Sequence, residues 1–208
     1  MNKSSFTEMM DKCVHQILKG QSTAIPGHVL AFNPSKQLAQ VQAGVEKLDV
    51  NGTSITPPPI VMVPVCFPGG QYSLEYEIAK GDEGLIIFSQ RCIEAWIDQG
   101  GVSPQKYRRF HDFNDALFLP GFRSQKNKMQ SFENNGIRLR DPAGAGYIWL
   151  KNDGTAEIAA TMLNIIGNVT VAGNTAITGA LTNNGTNVGN THVHGGVQAG
   201  SSNTSTPT

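Results

Sequence analysis

The spacing of apolar residues changes character along the chain, and its first segment predicts a helix. Over residues 4–19, apolar side chains recur every three or four positions, and Gly20 follows as a stop signal. Ser5 and Glu8 form a capping-box pattern at the start. Because so short a helix is marginally stable alone, it either packs on its own domain, pairs with copies of itself or docks on a partner.

From Ala24 to about Asp98 the pattern predicts short β-strands. They are Gly27–Phe32, Gln37–Val45, Ile60–Phe67, Tyr72–Ile78, Gly84–Ser89 and Ile93–Ile97, separated by Pro, Gly, Asn and Asp at turns. Strands of this length predict a small antiparallel barrel of the OB type. The segment lacks the basic groove with interleaved aromatics that single-stranded nucleic acids require, so we predict no nucleic-acid partner.

A loop-rich connector is predicted after the barrel. Its cluster of Lys106, Arg108 and Arg109 is typical of a solvated face. His111 with Asp112 and Asp115 has the residue types of a catalytic grouping, but no Gly-rich elbow or second base accompanies it. We therefore expect no catalytic residues, and a protein that is not an enzyme and takes no small-molecule substrate.

The C-terminal part is a repeat. Gly167, Gly173, Gly179 and Gly185 are six residues apart, and between them aliphatic residues alternate with polar or small ones. A fixed short period with β-branched residues indicates a β-solenoid or β-prism. The segments 136–141 and 147–151 alternate similarly, with Arg138 and Arg140 expected to face outward.

Composition adds a constraint to the repeat. The last 51 residues, 158–208, contain no Asp, Glu, Lys or Arg, although the chain has 16 acidic and 16 basic residues and no net charge. No apolar run reaches the roughly 20 residues that span a bilayer, and the N-terminus does not have the pattern of a signal peptide. Cys13, Cys66 and Cys92 are unpatterned, which predicts reduced thiols in a protein made in the cytoplasm.

The repeat is too short and too poor in large side chains to form a core from one chain. Three copies winding around a common axis would share a narrow core and satisfy one another's sheet edges. In such a homotrimer, His192 and His194 project from the same side of a strand, so that six imidazoles converge on the axis. Six nitrogen ligands suit an octahedral transition metal such as iron.

The chain resembles the central spike proteins of contractile-tailed bacteriophages, related to baseplate assembly protein V. The resemblance is carried by residues 177–181, leading to 191–198 with the HxHGG motif, and by residues 81–88 with Arg91, Cys92 and Trp96. It implies a homotrimer with an N-terminal OB barrel and a C-terminal triple-stranded β-helix. It also implies one iron ion per trimer, held by His192 and His194 of each chain.

Taken together, these patterns predict a mainly β protein in four parts: an N-terminal helix (1–20), an OB-fold barrel (21–105), a connector (106–133) and a trimeric β-helix spike with a metal-binding tip (134–208). By the resemblance it is a virion protein at the baseplate that binds tail-hub proteins and mechanically pierces the host outer membrane. Two alternatives remain open. One is a trimeric receptor-binding fibre or adhesin tip, and the other is a hexapeptide-repeat acyltransferase.

Overall fold

The computed structural model describes residues 3–193, 195–196 and 200. The chain divides into two compact units, residues 1–133 and residues 134–208. The helices are α1 (Lys3–Gly20), α2 (Glu94–Gln99) and a 3₁₀ turn at Gln125–Asn127. The strands are β1 (Ala24–Asn33), β2 (Leu38–Ala43), β3 (Lys47–Leu48), β4 (Ser54–Ile55), β5 (Ile60–Pro64), β6 (Glu83–Phe88), β7 (Ala116–Pro120), β8 (Gly136–Arg140), β9 (Tyr147–Lys151), β10 (Ala156–Ala159), β11 (Thr182–Asn183) and β12 (Thr186–Asn187).

The predicted N-terminal helix is confirmed, but its predicted cap is wrong. Helix α1 begins at Lys3, so Ser5 lies inside its first turn and does not precede it. Among the described helices, none is long and apolar enough to cross a membrane.

The first unit is built on a curled antiparallel sheet of five strands in the order β5-β2-β1-β6-β7. Irregular register at Val29/Ala31 in β1, and at Ala39/Val41 in β2, adds local bend and twist. The curl brings the two edge strands towards each other. They meet at a parallel bridge between Val65 and Phe118, where the Cys66 N–H donates to the Phe118 carbonyl at 2.9 Å.

The core lies on the concave side of this sheet. Burial alternates along β2 and β6, as expected of strands with one face turned inward. Val29, Val41, Ile86 and Phe118 are fully buried. The Phe118 ring lies directly over Gly84, where an added Cβ would come within 2.5 Å of the ring, so only glycine fits beneath it.

Two predicted strands of this unit are wrong. Residues 93–97 do not form a strand, because α2 starts at Glu94 and the Ile93 N–H donates to the Asp115 carboxylate at 3.1 Å. The four-residue step from Ile93 to Ile97 suits a helix as well as a strand. Residues 72–78 alternate like a strand. Their first residues form backbone hydrogen bonds with the adjacent turn at 68–70 instead of with a strand, and only an isolated bridge between Gly69 and Ser73 forms.

The predicted end of the barrel at residue 105 also needs correction. Strand β7 pairs with β6 along its whole length, so the fifth strand of the sheet comes from the segment interpreted as a connector. A five-residue apolar run between charged and loop-forming residues gave too short a signal to be recognised as a strand.

The second unit contains a three-stranded antiparallel sheet in the order β10-β9-β8 and a small hairpin of β11 and β12. The alternating segments 136–141 and 147–151 thus lie on strands β8 and β9, as the sequence predicted. Between β10 and β11, residues 160–181 adopt no regular secondary structure within a single chain.

We expect Phe118→Ala to destabilise the first unit by about 3–5 kcal/mol, because it removes a fully buried ring from the sheet closure. Phe122→Ala is the matched control, since that ring is 56% exposed, and its effect should stay within about 0.5 kcal/mol. Urea unfolding followed by circular dichroism measures both. Equal losses for the two variants would contradict the described core.

Candidate functional site

The sheet of the second unit has one face made of aliphatic side chains, five of them large and the sixth the methyl group of Ala156 opposite Leu150. Cross-strand pairs place Ile137 opposite Leu150, Leu139 opposite Ile148, and Ile148 opposite Ile158, so all five share one side. Their exposed fractions run from 50% for Ile148 to 72% for Ile137. We call these five residues the apolar sheet face. Nothing within the described part of the chain covers it.

The opposite face of the same sheet is closed by its own side chains. The Arg138 guanidinium lies 4.0 Å from the Tyr147 ring centroid and 5.0 Å from that of Trp149. Lys151 lies over Trp149 at 4.6 Å and forms an ion pair with Glu157. The Tyr147 hydroxyl donates to Glu157 at 2.6 Å. Arg138 and Arg140 therefore lie on the polar side, as expected for residues that face outward.

Electrostatics tie the three strands together on this polar side. Hydrogen bonds from Lys151 and then Tyr147 lower the pKa of Glu157. The same hydrogen bonds to Glu157 raise the pKa of Lys151 and of Tyr147.

The turn between β8 and β9 is held by one carboxylate. Asp141 accepts hydrogen bonds from the backbone N–H groups of Gly144, Ala145 and Gly146, and these lower its pKa, with the Gly146 bond contributing most. The turn also presents the Gly144 carbonyl to Arg138 at 2.8 Å. The polar side is therefore a continuous network from turn to strand, whereas the apolar sheet face stays exposed among the described residues of the unit.

The exposed aliphatic residues continue beyond the sheet into the repeat. Those at least 40% exposed between β10 and β11 are Met162, Leu163, Ile165, Ile166, Val169, Val171, Ile177 and Leu181. Gly167 and Gly179 have φ angles of 133° and 114°, a region that favours glycine. The exposed apolar surface that begins at the apolar sheet face therefore continues into the repeat.

A tight hairpin precedes the histidines. Asn184 and Gly185 have φ angles of 48° and 80°, as a two-residue type I′ turn requires between β11 and β12. The Val188 N–H donates to the Leu181 carbonyl at 2.9 Å, which extends the pairing by one step. The chain therefore turns back on itself at Asn184 and Gly185.

His192 is held by the loop that follows the hairpin. Its Nδ1 lies 2.7 Å from the Gly189 carbonyl oxygen, and its backbone N–H donates to the same oxygen at 3.2 Å. A carbonyl only accepts, so Nδ1 carries the proton and Nε2 is the nitrogen of the neutral ring with a lone pair. This arrangement fits a metal ligand.

His194, the other predicted ligand, lies outside the described residues. Among the residues that are described, no group of three or more His, Cys, Asp or Glu side chains is close enough to hold a metal ion within one chain.

Sequence reasoning missed a buried ion cluster in the first unit. Arg109 donates to both oxygens of Asp115 at 3.0 Å and to Glu94 at 2.7 Å. Asp115 is 1% exposed, and its carboxylate, followed by that of Glu94, raises the pKa of Arg109. The prediction of a solvated basic cluster is therefore wrong for Arg109, which ties α2 to the start of β7.

The grouping of His111, Asp112 and Asp115 is not assembled as a triad. Asp115 faces Arg109, and Asp112 accepts hydrogen bonds from the backbone and side chain of Asn114. The backbone N–H of His111 donates to the Gln90 carbonyl. Each of the three residues thus has a structural contact of its own, and nothing in the sequence indicated that Arg109 would be the partner of Asp115.

Comparison with known proteins connects the first unit to phages. Residues 25–121 match the family model described as the phage protein Gp138 N-terminal domain. Over this range the first unit is similar to a phage protein domain. The match begins within β1 and ends just after β7, so it contains the five-stranded sheet except Ala24, together with the Arg109 cluster. No curated protein matches the chain.

The phage domain supports a structural protein of baseplate or spike type, and hence a component of the virion. The resemblance identified from residues 81–88 falls within the matched range. The match does not extend into the second unit, so the apolar sheet face and the histidine end must be interpreted from their own geometry.

Glu157→Gln should lower the melting temperature of the second unit at pH 7 and flatten its pH dependence. The pKa of Glu157 is lowered on folding, so its stabilisation is present above the ordinary value of about 4.3 and is lost as the pH falls through the folded pKa. Melting of a Trp96→Phe background, followed by Trp149 fluorescence from pH 7 to 3, measures this. Glu133→Gln removes the same charge elsewhere, and an equal effect from it would refute the assignment.

Proposed function

We propose that this protein is the central spike of a contractile phage tail, a homotrimer whose second unit forms a piercing shaft. The observation that carries the proposal is the apolar sheet face, which is exposed while the opposite face is closed by its own ion pairs and aromatic contacts. Contiguous apolar surface of this kind marks an interaction site. The question is then what covers it.

Copies of the same chain are better candidates than an unrelated protein to cover the apolar sheet face. The apolar sheet face leads directly into the glycine-punctuated repeat, whose aliphatic residues are exposed in the same way. The exposed aliphatic residues of one repeat can pack against those of identical repeats, because these have the same length and the same period. Three such rows would form a narrow shared core, and the free edges of β8 and β10 would pair between chains.

For the first unit we infer a closed barrel of the OB type. The strand order, with β1 between β2 and β6, and the parallel contact of Val65 with Phe118 support this inference. In the proposed assembly, three such phage domains attach the spike to tail-hub proteins of the baseplate.

At the far end, His192 and His194 of three chains would hold one iron ion on the three-fold axis. The proton on His192 Nδ1 directs Nε2 to the ligand position, which supports this assignment. When bound, the metal supplies a cross-link between chains. Within the chain, the Gly189 carbonyl orients the His192 ring at the point where the end of the shaft meets resistance.

The absence of charge from residue 158 onward, in the distal part of the proposed shaft, supports entry into the host outer membrane. From residue 158 onward the chain has no ionisable Asp, Glu, Lys or Arg side chain to desolvate in hydrocarbon. With the core side chains turned to the axis, the outside would be made of Asn, Thr, Ser and Gly. Penetration would be mechanical and would require no catalytic group.

We expect Ile148→Asp to abolish the trimer, because it places a carboxylate in the middle of the apolar sheet face, where the proposed core would desolvate it. Light scattering coupled to size-exclusion chromatography gives the mass. Val50→Asp is the matched control, because Val50 is 100% exposed in a loop of the first unit. A wild-type monomer, or a trimer that tolerates Ile148→Asp, would contradict the proposal. Specific binding of the trimer to host polysaccharide would favour a fibre or adhesin tip instead.

The double variant His192→Ala with His194→Ala should lose its bound metal and remain a trimer. Metal content is measured by inductively coupled plasma mass spectrometry of the untagged protein, with His15→Ala as the control because His15 lies in α1. We expect one iron per three chains in the wild type and in the control. Unchanged iron in the double variant would refute the ligand assignment.

A further inference from the structure

Helix α1 is an amphipathic helix without cover. Every side chain from Ser5 to Gly20 is exposed, including the large apolar ones. Exposed fractions are 66% for Phe6, 53% for Met9, 47% for Met10 and Val14, and 67% for Ile17. Most of the stability of a helix in a protein comes from packing of its apolar face, so the exposed apolar residues of this 18-residue helix indicate that it packs against a partner.

These apolar residues have the spacing of a coiled coil. Phe6, Met10, Cys13 and Ile17 follow one another at steps of four, three and four residues, which is the d-a-d-a order of a heptad. In this register Thr7 and Val14 take the e positions, and Met9 and Gln16 take the g positions. A seam flanked by Met9 and Val14 is wider than a strict a/d seam, which suits packing against more than one helix.

The charges of α1 favour copies of itself as the partner. From Phe6 onward the charged and histidine residues, Glu8, Asp11, Lys12, His15 and Lys19, occupy the outward b, c and f positions, whereas Lys3 takes an a position in the first turn, before the seam begins. No charged residue stands at the e or g positions, where identical parallel helices would place like charges against each other. A partner of different sequence recognised by charge would need charged groups beside the seam, and there are none.

We propose that α1 forms a parallel three-helix coiled coil with the α1 helices of the two other copies. This inference rests on the proposed trimer. Only residues 21–23 separate α1 from β1, so three barrels held together would keep their helices within reach at high effective concentration. The trimer would then be closed at its N-terminal end by helices, independently of the metal at the other end.

The proposed register brings the Cys13 residues of the three chains into one d layer. Cys13 is a free, exposed thiol in the single chain. Disulfides need Cα atoms roughly 4.4–6.8 Å apart, a separation that neighbouring helices of a coiled coil provide at such a layer. Oxidation should therefore link two of the chains and leave the third thiol free.

The test uses the full chain with Cys66→Ser, which removes the other exposed thiol. After mild oxidation at low protein concentration, non-reducing electrophoresis should show a cross-linked dimer. The control carries Cys13→Ser with His15→Cys in the same background, which moves the thiol to an outward f position. We expect the Cys13 protein to cross-link roughly tenfold faster than this control, because the seam holds its thiols together.

Light scattering on the same samples separates this inference from the proposed function. A trimer that does not cross-link through Cys13, or that cross-links equally fast in the control, would refute the proposed coiled coil but not the proposed trimeric spike. A monomer overturns both. Ile17→Asp should suppress the Cys13 cross-link while the trimer mass persists, and a cross-link that survives this change would also overturn the coiled coil.

Discussion

The proposed assembly depends on how one β-sheet distributes its side chains. Strands β8, β9 and β10 place charged and aromatic residues on one side, where they pair with one another, and five large aliphatic residues on the other, where they remain exposed in the described part of the chain. Aliphatic surface in water costs free energy in proportion to its area. Because the side chains of the polar side already contact one another, this free-energy cost would be removed by packing another surface against the apolar sheet face.

The two units reach their order by different means. The first has a buried core around Phe118 and an internal ion cluster at Arg109, so its phage domain is complete within one chain. The second has alternating strands and ordered turns but no enclosed core, and its aliphatic row continues through the repeat. This division agrees with a protein whose first unit attaches to a larger structure and whose second unit gains its rigidity from assembly.

Periodic features were predictable from the sequence, and features set by tertiary contacts were not. Helix α1 and strands β8 and β9 were recognised because their apolar spacing is regular over several residues. Strand β7 was missed because five residues give a weak pattern, and α2 was taken for a strand because Ile93 and Ile97 fit both periods. Arg109 pairs with Asp115, six residues further along the loop before β7, and a loop contact of this kind leaves no periodic pattern in the sequence. At the candidate site, the His-x-His spacing is the whole basis of the ligand prediction, whereas the hydrogen bond that orients His192 is visible only in the loop geometry.

Hydroxyl-radical footprinting of the full-length protein tests the central claim most directly, because it reports the solvent contact of each side chain. The account predicts that Ile137, Leu139, Ile148, Leu150 and Ile158 are protected in solution although they are exposed in the single chain. Val50 and Val102, which are fully exposed in the first unit, should react freely in the same sample. Reactivity of the apolar sheet face equal to that of Val50 would contradict the account, because it would mean that no other chain covers this surface.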